Sequence, residues 1–171
     1  DILVGTQMVV KGLDFDRVDL VGILDADSLL NFSEFRVNER AFQLMEQVSG
    51  RAGRKDGKGK VLIQVANTKH PVLQYVMAHD YKSFYEQEII ARKNFFYPPF
   101  SRIIQISFRH KIKEIVHDAA AVFAVHLKKD FESGITGPAE PVVARIRNQY
   151  IMELMLKLPK NGSTIAYAKQ V

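Results

Sequence analysis

Gln47-Val48-Ser49-Gly50-Arg51-Ala52-Gly53-Arg54 sets two arginines three residues apart, each behind a glycine. Glycine leaves the backbone free to turn tightly, so both guanidinium groups can be aimed at one point. Fixed cations of this kind stabilise the charge on a transferring γ-phosphoryl group. Just upstream, Val37, Ala41, Leu44, Met45 and Val48 recur at helical spacing, which predicts a helix over residues 36–50 with one face toward a core. Gln47, Arg51 and Arg54 lie off that stripe.

Outward from this segment, strands and helices alternate. Ile2-Leu3-Val4 predicts a short buried strand. Residues 19–25 predict a second strand, apolar enough to be buried on both faces. A turn over 55–60 leads to a third, Val61-Leu62-Ile63-Gln64-Val65. The alternation predicts an α/β unit with a mostly parallel sheet. Residues 70–96 predict two helices, with Pro71 in the first turn of one and Asp80 capping the next. Tyr97-Pro98-Pro99-Phe100 breaks the pattern and reads as a hinge, dividing the chain into 1–99 and 100–171. Beyond it come a strand over 102–109 and a helix with Ile112, Ile115, Val116, Ala119, Val122, Phe123 and Leu127 on one face. Gly134 suits that helix's stop, and two strands follow near 142–146 and 150–158. This order predicts a small α+β domain.

With 171 residues, 47% of them hydrophobic, the chain can build one large or two small packed domains. It has no cysteine, which excludes a disulfide framework or zinc ribbon within it and suits a reducing compartment. No apolar run approaches the roughly 18 residues of a membrane span, and no signal peptide is visible. The net charge of +5 is uneven: −5 over 1–35, +4 over 36–60 and +6 over 61–171. The basic excess suits a polyanionic partner or simply a solvated surface. Both ends read as cut, as in an excised piece of a larger protein.

A second motif follows the first predicted strand: Gly5-Thr6-Gln7-Met8-Val9-Val10-Lys11-Gly12-Leu13-Asp14-Phe15. Backbone N–H groups and a hydroxyl at a sheet edge suit a phosphate. Lys11-Gly12 adds a cation and a tight backbone, and Asp14 can accept from a ribose hydroxyl or orient an arginine. A strand, turn and loop without a ligand accounts for the same residues. Phe32 and Phe35 can stack on a base or pack locally. Arg36 and Arg40 can contact phosphate or pair with Glu39 or Glu46. Lys55, Lys58 and Lys60 read as a solvated turn. Arg145, Arg147 and Lys157 on the late strands offer a basic DNA-binding face. The five histidines show no metal-ligand spacing, no metal site is predicted, and no nucleophile–base set is present.

Taken together, Gly-Thr-x5-Gly-x-Asp and, about 35 residues later, Gln-x-x-Gly-Arg-x-Gly-Arg resemble motifs V and VI of superfamily 2 helicases. Those motifs belong to the second of two RecA-like lobes. Leu24-Asp25-Ala26-Asp27, Phe35-Arg36-Val37-Asn38-Glu39-Arg40, the Pro-Pro at 98–99 and Thr136-Gly137-Pro138 narrow the resemblance to the PriA family of bacterial replication-restart helicases. The fold this implies is RecA-like lobe 2 followed by a small α+β C-terminal domain.

The resemblance implies that Thr6, with Gln7 and Lys11, touches nucleic acid and that Gly12 and Asp14 face the nucleotide. It implies that Gln47, Arg51 and Arg54 act in catalysis, with Gly50 and Gly53 beside the nucleotide. Arg36, Arg145 and Arg147 are further nucleic-acid candidates. It also implies a 3′→5′ DNA helicase driven by ATP and Mg2+, both held mainly by a first lobe outside this chain, with Zn2+ elsewhere in the parent. Branched and single-stranded DNA, single-strand-binding protein and primosome proteins are the implied partners, in the bacterial cytoplasm and away from membranes. No Gly-x4-Gly-Lys-[Ser/Thr] phosphate loop and no Asp-Glu-x-His occur here; residues 53–59 have the wrong spacing for the former. The chain alone is therefore expected to be inactive. Another superfamily 2 DNA or RNA helicase, or a non-catalytic nucleic-acid-binding module, are the alternatives.

Overall fold

A computed structural model of the chain describes residues 2–6, 18–32, 34–52, 59–131, 134–162 and 168. The chain is mixed α/β and divides into two units, 1–88 and 89–171.

In the first unit, β1 (Leu20–Ile23) and β2 (Lys60–Ile63) pair in parallel, Leu20 opposite Lys60 and Ile23 opposite Ile63. Around them lie α1 (Asp27–Leu30), α2 (Val37–Ser49), α3 (Pro71–Ala78) and α4 (Tyr81–Asn94), whose second half enters the other unit. Period-2 alternation turns Val21, Ile23, Val61 and Ile63 inward and leaves Leu20 and Leu62 outside, 55% and 62% exposed. Among the described residues, the strand expected to be buried on both faces is thus covered on one, the side on which the helices pack. Ile2-Leu3-Val4, expected as a buried strand, forms no regular element and is exposed, Ile2 by 94%. No strand pairs with it among the described residues, and an unpaired strand has nothing to satisfy its backbone.

The core of this unit is Ala26, Leu30, Ala41, Phe42, Met45, Val72, Leu73, Val76 and Phe84. Phe42, absent from the predicted stripe of the 36–50 helix, stacks on Phe84 at 4.5 Å and 5°. Pro71 occupies the first turn of α3, where its missing N–H costs nothing, and the His70 ring accepts from Val72 N–H. Asp80 caps α4 as expected, its Oδ1 accepting from Ser83 N–H at 3.0 Å.

The second unit is an antiparallel sheet with one long helix. β3 (Ser101–His110), β4 (Ile135–Ala139), β5 (Arg145–Ile146) and β6 (Gln149–Pro159) form it, with β6 central between β3 and β4, and β5 continuing the β4 side. The helix α5 (Lys113–Asp130) carries Glu114 in its first turn and Lys128 and Lys129 in its last, opposing its dipole at both ends. It buries Val116, Ala120, Ala124 and Leu127 against Met152, Leu154, Leu156 and Leu158 of β6. The predicted stripe was rotated: Ile115, Ala119 and Val122 are exposed. Ala120 and Ala124 face the sheet between Val116 and Leu127, and their small side chains let helix and strands approach closely there. Gly134, expected as the stop of this helix, lies beyond it, because the helix ends at Asp130 with Phe131 as its cap; Gly134 instead lets the chain entering β4 pass close to β6, where a Cβ would lie 2.5 Å from the carbonyl oxygen of Lys157. Residues 135–139, where no strand was predicted, form β4, and the strand predicted near 142–146 is reduced to β5.

The segment after α4 is fastened to this sheet. Lys157 Nζ donates to the Phe95 carbonyl at 2.9 Å and sits 3.7 Å from the Tyr97 ring centroid. Ser101 Oγ donates to the Phe96 carbonyl at 2.8 Å.

Candidate nucleotide and nucleic-acid site

The arginine-bearing segment begins where α2 ends. Gly50 N–H donates to Glu46 O at 2.9 Å, Arg51 N–H to Val48 O at 3.0 Å and Ala52 N–H to Ser49 O at 3.1 Å, so the chain leaves the helix through a tightened final turn. Gly50 has φ −65° and ψ −1°, a conformation open to any residue. The expectation that glycine there supplies an unusual backbone turn is therefore corrected: a side chain at Gly50 would meet only ordinary contacts. Gln47 is exposed on the last turn and Arg51 is half-buried. Gly53 and Arg54 lie outside the described residues, as do Gln7, Lys11, Gly12 and Asp14. Thr6 is exposed and outside any regular element. The described part of the site is thus Gln47, Gly50 and Arg51, gathered at one helix end.

Two contacts near the site escaped sequence reading, and the first holds that helix end. His79 ends α3 at φ 52°, and its Nδ1 meets both carboxylate oxygens of Glu46, at 3.1 and 3.0 Å. Glu46 is one turn before Gly50, so this contact fixes the base of the arginine segment. Asp27 Oδ2 accepts from Ala66 N–H at 2.7 Å, and Ala26 N–H donates to Gln64 O. The Asp-x-Asp at 25–27 therefore ties the end of β1 to the loop after β2. Neither contact leaves a periodic trace, because each joins residues more than 30 positions apart.

Beside the helix end, Ser49, Val61, Ile63, Leu73, Val76 and His79 are among the residues lining a cavity of about 330 Å³. Its walls are mostly aliphatic and carry no cluster of cations, so it is no phosphate pocket. The chemistry of the helix end is different. Arg51 offers guanidinium donors and Gln47 an amide that both donates and accepts, groups of the kind that grip phosphate oxygens, and among the described residues no carboxylate pair accompanies them to hold Mg2+. They fit the phosphate end of a nucleotide and not its metal. Among the described residues no group of three or more His, Cys, Asp or Glu is placed to hold a metal ion.

The other candidates are scattered. Arg36 stacks over Phe35 at 5.2 Å, Arg40 pairs with Glu34 rather than Glu39 or Glu46, and Phe32 is exposed. In the second unit, Arg145 and Arg147 stand on the β5–β6 hairpin, exposed. Arg145 lies over the Tyr150 ring at 4.8 Å and bonds Asn148 Oδ1. Lys157 is toward the other end of β6, roughly 24 Å along the strand from Tyr150, the register partner of Arg145, and is held by Tyr97 and Phe95. It does not share a face with the arginines. Near the hairpin, Lys113 and then His117 hold the Glu140 carboxyl below its usual range, and Glu140 raises Lys113 in turn.

Known proteins resemble the chain along its length. Residues 93–171 match the family model described as "Primosomal protein N C-terminal domain". The replication restart protein PriA of Synechocystis is 41% identical over 163 residues, covering 93% of this chain and 19% of the relative. That of Bacillus subtilis is 38% identical over 173 residues, covering 100% of this chain and 22% of the relative. That of Treponema pallidum is 42% identical over 161 residues, covering 93% and 24%. The chain spans about a fifth of the length of these relatives.

Proposed function

The chain belongs to the PriA family of replication restart proteins, and from that premise we propose that it is part of an ATP-dependent 3′→5′ DNA helicase of the primosome. In this reading it acts at stalled or branched forks in the bacterial cytoplasm. The first unit is the second RecA-like lobe, and the residues after 99 form the α+β C-terminal domain. No helix among the described residues is long and apolar enough to cross a membrane. The observation that carries the reading is the helix α2 delivering Gln47, Gly50 and Arg51 at one end, held there by Glu46 and His79.

Bound ATP supplies the phosphoryl group whose hydrolysis drives movement; Mg2+ and most of its contacts belong to a first lobe outside this chain, as does a Zn2+ site. Arg51 and Arg54 cross the cleft to the γ-phosphate, Gln47 positions beside them, and Gly50, Gly53, Gly12 and Asp14 line the nucleotide. Thr6, Gln7, Lys11 and Arg36 follow the DNA backbone, and Arg145 and Arg147 hold DNA from the second unit. Single-strand-binding protein and primosome proteins complete the set of partners. Because the cations and the phosphates sit on different lobes, hydrolysis requires closure, which couples turnover to stepping.

The test is a chimera in which this chain replaces the matching stretch of the Bacillus subtilis relative. DNA-stimulated ATP hydrolysis is expected, with Arg54→Ala lowering it by roughly 10³–10⁵-fold and Arg51→Ala also strongly reducing it. Unchanged circular dichroism would show that the fold survives. Hydrolysis indifferent to both arginines would leave the chain a nucleic-acid-binding module without a catalytic role.

A further inference from the structure

The arginine segment leaves α2 over a stretch that burial does not fix. Met45 is fully buried, but no residue from Glu46 to Ala52 is. A helix end with no side chain in the core is free to fray, and whatever follows it moves with it. Here the last turn is tethered from the side. The Glu46 carboxylate meets His79 Nδ1 at 3.0 and 3.1 Å, across 33 positions of sequence. An ionised carboxylate only accepts, so the ring donates through Nδ1. The same Glu46 accepts through its carbonyl from Gly50 N–H at 2.9 Å, and Arg51 is the next residue. One residue thus joins α3 to the backbone from which the arginine projects.

The anchor on the α3 side is rigid. His79 closes α3 in the left-handed region, at φ 52° and ψ 32°. Its N–H donates to Val76 O at 3.2 Å, and Asp80 N–H donates to Tyr75 O at 2.9 Å. Asp80 then caps α4 through Ser83 N–H. The end of one helix and the start of the next therefore fix the backbone that bears the ring. Glycine is the usual residue at such a stop, because a side chain there has a conformational cost. The turn does not call for a histidine. Nor does the contact hold the unit together, since the His79 side chain is 69% exposed and exposed pairs contribute little to stability. Such a contact supplies direction instead.

We propose that Glu46 and His79 act as one pair of positioning residues for ATP hydrolysis, holding the last turn of α2 at the angle from which Arg51 reaches the γ-phosphate. The proposal rests on the catalytic reading of Arg51 and deepens it. Neither member of the pair touches the nucleotide; both act through the backbone between Glu46 and Arg51. A small contact then has a large effect on rate, because moving a catalytic group by about 1 Å can cost about 10²-fold.

The test uses the chimera described above and measures kcat and KM for ATP alongside the melting temperature. His79→Gly removes the ring and suits the left-handed backbone. Glu46→Ala removes the carboxylate, and Glu46→Gln keeps an oxygen that accepts from Nδ1. His79→Gly and Glu46→Ala should each lower kcat by roughly 10–10²-fold with KM nearly unchanged, the mark of a contribution made in the transition state. The melting temperature of His79→Gly should change little, because relief of the left-handed turn offsets the greater freedom of the unfolded chain. The double variant His79→Gly/Glu46→Ala should be no slower than either single one, as for two residues that act as a unit. Glu46→Gln should recover most of the rate lost in Glu46→Ala. Full kcat in both single variants, with Arg51→Ala still abolishing hydrolysis, would overturn the pair and leave the arginine reading standing. So would losses that multiply in the double variant, losses that track a falling melting temperature, or a Glu46→Gln no faster than Glu46→Ala. Hydrolysis indifferent to Arg51 would overturn the catalytic reading and the pair with it.

Discussion

At the scale of single residues, the first unit depends on an aromatic contact that helical periodicity did not reveal. Phe42 is 4% exposed, stacked on Phe84 and 6.0 Å from Tyr81. It sits one position beyond Ala41, on the shoulder of the apolar stripe, and only the arrival of α4 makes that shoulder interior. Phe42→Ala should cost about 3–5 kcal/mol, because a ring-sized void between α2 and α4 cannot collapse. Urea unfolding followed by far-UV circular dichroism would report it, and a loss below about 1 kcal/mol would show that the stacked pair is peripheral. Arg51 makes the opposite case. Its identity and spacing were legible, but its half-buried setting depends on a turn that follows from hydrogen bonds to Val48 and Ser49 carbonyls.

At the scale of elements, helix ends were the most legible features. Pro71 and Asp80 each behave as their covalent structure dictates, a fixed φ and a short acceptor, whereas Gly134 lies beyond the Phe131 cap of α5 and is no helix stop. Asp80 also yields a pH prediction. The hydrogen bonds from Ser83 hold its carboxyl below the usual 3.8. A depressed folded value means the cap's contribution is present above the unfolded pKa and is lost as pH falls through the folded one. The urea midpoint should therefore drop on acidification below about pH 4, and Asp80→Asn, which keeps an acceptor that does not titrate, should flatten part of that drop. An identical acid profile in the two proteins would remove the cap from the account. Helix faces were less legible than helix ends. In α5 the apolar residues are spread widely enough that two overlapping stripes fit the sequence; Val116, Phe123 and Leu127 belong to both, and the face carrying Ala120 and Ala124 is the one packed on the sheet.

At the scale of the whole molecule, two units with separate cores share the chain. The sequence places the division at the Pro-Pro after Tyr97, and the contacts there supply a direct test of where the second unit starts. A piece spanning 89–171 retains Phe95, Phe96 and Tyr97 against Lys157 and Ser101; a piece spanning 100–171 loses them. Removing a cation–π contact and two hydrogen bonds should cost about 1–3 kcal/mol. The shorter piece should accordingly melt at least roughly 4 °C lower by circular dichroism. Equal melting temperatures would place the start at residue 100. The same scale explains why the predicted strand at 2–4 failed. Three apolar residues specify a strand only if a neighbour is present to pair with them, and among the described residues there is none.

Composition, periodicity and the spacing of glycine, proline and arginine were enough to determine most of the order of helices and strands, the Pro71 and Asp80 helix starts and the family. These are properties of neighbours in sequence, and local sterics and hydrogen bonding act over a few residues. Tertiary structure alone decided which face of α5 is buried, which surface of β1 and β2 stays open, and how Glu46 and His79 hold the arginine segment. Each of those depends on residues tens of positions apart meeting across a strand pair or helix contact, and no local pattern encodes that meeting.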